Sequence, residues 1–108
     1  MKLYKIFIPK KYNDNKPIPV EKTMKILNQI EEKFGGYSLD PFGKLPILGI
    51  WKDPEERKRY VDEIQTVELF TEDTLNIKKW FSSQKELWRQ ELEQKELFIM
   101  VQDAEIVT

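Results

Sequence analysis

The chain has 108 residues, with 18 basic and 19 acidic side chains that leave a formal charge of −1 at pH 7. It contains neither cysteine nor histidine, which excludes disulfide frameworks, Ser-His-Asp and Cys-His catalysis, and zinc sites built on thiolate or imidazole. No apolar run approaches a membrane span, and the opening Met1-Lys2-Leu3-Tyr4-Lys5 lacks the apolar core of a signal peptide, so a cytoplasmic chain forming one domain over residues 1–108 is expected.

From Leu3 to Pro9 the residues alternate, with Tyr4, Ile6 and Ile8 on one side of an extended chain and Leu3, Lys5 and Phe7 on the other. That period of two predicts a strand with one strongly apolar face. Residues 10–19, KKYNDNKPIP, are turn formers with two prolines and read as a loop. From Val20 the period changes to that of a helix, with Val20, Thr23, Met24, Leu27, Ile30, Lys33 and Phe34 on one stripe. Pro19 suits the start of this helix and Gly35-Gly36 supplies a left-handed stop.

A short strand near residues 37–39 is expected next, then an irregular loop where Pro41, Gly43 and Pro46 interrupt the pattern, then a firmer strand through Ile47, Leu48, Ile50 and Trp51. Asp53-Pro54-Glu55-Glu56 is a turn signal, and the β-branched and aromatic run from Arg59 to Phe70 reads as the hairpin partner. Thr71-Glu72-Asp73 reads as a cap for a second helix whose stripe is Ile77, Trp80, Phe81, Gln84, Leu87, Trp88 and Leu92. Glu96 to Val101 closes the chain as a last strand, followed by an acidic tail.

The order strand, helix, two hairpin strands, helix, strand is the α+β, ferredoxin-like split βαβ arrangement, with both helices on one face of an antiparallel sheet. Residues on the opposite face, among them Leu3, Phe7, Ile50 and one row of Arg59–Phe70, then have no cover within the chain. A homodimer through that open sheet face is the expectation.

Without imidazole or thiol, proton transfer falls to Asp, Glu, Lys or Tyr. The densest polar constellation is the hairpin, where Trp51 comes opposite Tyr60 or its neighbour and Asp62 stands close by. Asp62 and Tyr60 are the candidate catalytic pair, and Tyr37, Trp51, Tyr60 and Asp62 are the candidate lining of a ligand pocket beside loop 40–46. The competing reading is a self-neutralising solvated turn with ordinary strand packing. No cofactor is expected, and no metal: adjacent carboxylates such as Asp62 and Glu63 face opposite ways on a strand, and no calcium-loop spacing is present. Charge is uneven, +4 over residues 1–36, −3 over 37–72 and −2 over 73–108. Lys10, Lys11 and Lys16 on the first loop could attract an anion or an acidic partner. Asp62, Glu63 and Glu68 on the third strand would repel phosphates, which weighs against nucleic acid.

Phe34-Gly35-Gly36-Tyr37-Ser38, Gly49-Ile50-Trp51 and Tyr60-Val61-Asp62, with Ile8-Pro9-Lys10 ahead of them, resemble a loose group of small uncharacterised microbial proteins. These share a helix ending in Phe-Gly-Gly-Tyr-Thr, a Gly-x-Trp strand and a Tyr-x-Asp strand. The resemblance spans roughly residues 3–70, implies the same fold and carries no established activity. Three functions follow as expectations. The first is a dimerising accessory protein that acts through protein–protein interaction. The second is a small enzyme or ligand binder of the dimeric α+β barrel type with a Tyr/Asp-lined pocket. The third is nucleic-acid binding through the basic first loop.

Overall fold

The computed structural model describes residues 1–39, 47–52, 54–57 and 59–107; within the strands, the side chains of residues 47–51 and 60–62 lie outside the description. The elements in order are β1 (Lys2–Pro9), α1 (Val20–Phe34), β2 (Ser38–Leu39), β3 (Ile47–Lys52), β4 (Arg59–Thr71), α2 (Leu75–Glu91) and β5 (Ile99–Asp103). β1 lies at the centre of the sheet, antiparallel to β5 on one side and to β4 on the other. β2 and β3 share the far edge of β4 in tandem, β2 against Glu68 and Val67, β3 against residues 59–64. This is the ferredoxin-like strand order, with the second strand broken into two pieces.

The alternation in β1 decides the layering. Tyr4, Ile6 and Ile8 are buried, and their register partners Leu69 and Val67 on β4 are buried with them. Ile26, Leu27 and Ile30 of α1, and Phe81 and Trp88 of α2, close on the same side with Leu92 and Leu97 in one continuous core. Both helices therefore cover a single sheet face, as an amphipathic stripe on each requires.

Several local readings shift. The buried stripe of α1 runs through Ile26, Leu27 and Ile30, while Val20 and Met24 are exposed. Leu87 likewise faces outward. The cap of α2 is Thr74, whose hydroxyl accepts from the Ile77 N–H at 3.2 Å; Thr71 is instead buried at the end of β4. β5 begins at Ile99 and takes in Gln102 and Asp103, so the first residues of the expected tail are strand, and Asp103 is paired with Lys2. α1 ends as expected, with Gly35 at φ 83° donating its N–H to the Glu31 carbonyl at 2.7 Å.

Candidate functional site

The β3–β4 hairpin and the first loop meet at one residue. The backbone N–H of Lys10 donates to the Glu63 carbonyl at 2.8 Å, and the Lys11 ammonium pairs with the Glu63 carboxylate at 3.3 Å. The loop is closed on itself by the Tyr12 N–H to Lys16 carbonyl bond (2.8 Å) and the Ile18 N–H to Lys10 carbonyl bond (2.9 Å). Asn15, at φ 72°, takes the left-handed turn position that asparagine tolerates. The loop is thus a formed element fixed to the base of the hairpin, and Glu63, which in the sequence is a repelling charge and a carboxylate unable to share an ion with Asp62, is its anchor. Nothing local in the sequence couples residues 52 positions apart.

Within the hairpin the backbone register sets Trp51 opposite Tyr60, Gly49 opposite Asp62 and Ile50 opposite Val61. The side chains of Trp51, Tyr60, Asp62 and Ile50 lie outside the described residues. Lys10 and Lys11 reach β4 one residue from Asp62, so the basic loop and the hairpin, separate candidates in the sequence, adjoin in the fold. Tyr37 does not join them. It precedes Ser38, which pairs with Glu68, eight positions along β4 from Tyr60, on the order of 26 Å at strand rise. Its ring packs instead against the margin of the core.

Of the three lysines, Lys11 is held by Glu63 and Lys16 by Asp14 at 3.8 Å, so two of the three charges are partly neutralised. Beside the loop, Lys22 lies 5.1 Å from the centre of the Tyr12 ring and 3.5 Å from the Glu93 carboxylate. The Tyr12 hydroxyl, followed by the Glu93 charge, raises its pKa. At the other end of the hairpin Glu56 pairs with Lys95 at 2.8 Å, tying the turn to the segment after α2. Among the described residues no group of three or more Asp and Glu is arranged to hold a metal, and no helix is long and apolar enough to cross a membrane.

Among the described residues two shallow grooves lie on the helical layer. One, about 450 Å³, runs along α1 past Val20, Met24 and Gln29; the other, about 340 Å³, lies between α1 and α2 beside Leu87 and Trp88. Both are open to solvent and are lined, among the described residues, by α1 and α2 alone.

The chain matches no protein-family model and no curated protein sequence. Among solved structures it is similar to a phage SAM lyase in complex with S-methyl-5'-thioadenosine, with a TM-score of 0.72 and 11% identity over 94% of this chain and 80% of that one. At that identity the likeness establishes the α+β fold.

Proposed function

We propose that the protein binds an adenosyl thioether or sulfonium compound and acts as a small lyase on S-adenosylmethionine. The observation that carries this reading is the fold match over nearly the whole chain to a SAM lyase seen with S-methyl-5'-thioadenosine. The composition is compatible with it. A sulfonium leaves as a neutral thioether, so breaking its carbon–sulfur bond needs no general acid. The substrate's own carboxylate oxygen can form the new bond to the carbon that sulfur leaves. The electron pair of the broken bond goes to sulfur, giving S-methyl-5'-thioadenosine and an aminolactone with no net proton transferred. A chain without histidine or cysteine can support such a reaction by positioning the substrate and by surrounding the sulfonium with aromatic faces and a carboxylate. Trp51, Tyr60 and Asp62 are the residue types for that task.

The test is direct. Purified protein is titrated with S-methyl-5'-thioadenosine by calorimetry, then incubated with S-adenosylmethionine while thioadenosine is followed by chromatography. Saturable binding, with product release that Asp62→Asn and Tyr60→Phe reduce at least tenfold without moving Tm, supports the reading. Absence of both binding and turnover overturns it.

A second reading concerns assembly. Phe70, Phe98 and Met100 are exposed on the sheet face away from the helices, and we propose that a second copy of the chain covers that face. Such a dimer is also the form in which the protein would meet a protein partner as an accessory factor.

A further inference from the structure

Among the described residues, the sheet face away from the helices has a definite layout, exposed at Phe70 and Met100 and buried at Thr66. β1 places Leu3, Lys5 and Phe7 there, in register with Phe70, Glu68 and Thr66 of β4. On the other side Gln102 and Met100 of β5 stand beside Leu3 and Lys5, and the Phe7 N–H donates to the Phe98 carbonyl at 3.0 Å. Phe98 is 64% exposed, Phe70 53% and Met100 43%. In the middle of this apolar surface Lys5 pairs with Glu68 at 3.1 Å, two opposite charges side by side on adjacent strands.

We infer that this face joins a second copy of the chain about a two-fold axis running along the strands between β1 and β4, so that Lys5 of each protomer meets Glu68 of the other. The inference rests on the homodimer reading given above and adds its axis and contacts. Charge complementarity selects the geometry. Rotation about an axis parallel to the strands lays β1 over the partner's β4. Lys5 then faces an acid and Leu3 faces Phe70, an apolar pair. Rotation about an axis across the strands lays β1 over β1, so that Lys5 faces Lys5 and Glu68 faces Glu68 in a drying interface. Face-to-face sheets pack about 10 Å apart, within reach of two long side chains directed toward each other.

The experiment uses charge inversion. Lys5→Glu makes the centre of the face doubly acidic and Glu68→Lys makes it doubly basic. Sedimentation and native mass spectrometry at about 50 µM are expected to show a wild-type dimer. Each single variant should self-associate at least tenfold more weakly, and an equimolar mixture of the two should form a heterodimer. Near-ultraviolet circular dichroism checks that each variant is folded. Should an inversion fail to fold, Met100→Glu, on a side chain already exposed, serves as the second variant and is expected to dissociate the dimer. A wild-type monomer overturns both the homodimer reading and this one. A wild-type dimer indifferent to the inversions and to Met100→Glu, or a mixture that gives no heterodimer, overturns this assignment alone.

Discussion

Tyr4 of β1 lies nearly parallel to Phe81 of α2, with ring centres 4.0 Å apart and planes inclined by 13°. Phe81 also stacks on Phe34 of α1 at 5.5 Å and meets Trp80 in a T-shaped contact at 5.0 Å. One ring therefore links the central strand to both helices. Phe81→Ala is expected to lower the unfolding free energy by about 3–5 kcal/mol, because the lost burial adds to a cavity that three aromatic neighbours cannot close. Phe81→Leu keeps part of the volume and should cost clearly less. Urea unfolding of the two variants measures the difference; equal losses would mean that ring geometry, not volume, holds the site.

The same contact makes stability sensitive to alkali. Burial of Tyr4, helped by the charge of Asp73, raises its hydroxyl pKa above the ordinary 10.0. The folded chain thus holds this proton more tightly than the unfolded chain. Stability is unaffected below pH 10 and falls as pH rises through the raised folded value. Tyr4→Phe keeps the stacked ring, so its Tm should match the wild type at pH 7 and exceed it above pH 10. A pair of thermal melts at pH 7 and pH 11 checks the sign.

Trp88 is buried, and its indole Nε1–H donates to Gln29 Oε1 across the helix pair at 2.7 Å. Replacing Gln29 by Leu leaves that donor without its acceptor, at about 1–3 kcal/mol. Gln29→Glu retains an acceptor and should lose less. Trp fluorescence during chemical unfolding reports both the loss and any change in the indole surroundings.

How far the sequence could be read depended on whether a signal was local. β1 was legible because the helices cover one face of this central strand, burying Tyr4, Ile6 and Ile8, so its period of two survives in the chain itself. α1 was legible in extent, from Pro19 to Gly35, but not in face. An apolar stripe drawn through Val20 and Met24, both exposed, leaves out Ile26, which is part of the core. The start of β5 was misplaced because Leu97 is buried in the approach to the strand, and an apolar run does not mark where pairing begins. The turn at Pro54 made legible that Trp51 pairs with Tyr60 or its neighbour, and the register settles on Tyr60. The distance of Tyr37 from it was not, since nothing local states that β2 and β3 occupy β4 one after the other. The joining of the first loop to Glu63 is a tertiary contact with no sequence signature.

Gly35 and Gly36 differ in what they do at the exit of α1. Gly35 has φ 83°, donates its N–H to Glu31, and has no atom within 4 Å of the place a Cβ would occupy. Its requirement is thus of the backbone alone, and Gly35→Ala is expected to cost about 1–2 kcal/mol for the left-handed conformation. Gly35→Asn, a residue that accepts that conformation, should recover part of it. Gly36 has equal room around it but no positive φ, so alanine there meets no strain and reduces the freedom of the unfolded chain, a gain of about 0.4–1 kcal/mol. The two substitutions, adjacent and chemically identical, should therefore move Tm in opposite directions. Equal destabilisation by both would mean that the second glycine is also held to a conformation closed to other residues, and that the pair acts as one stop.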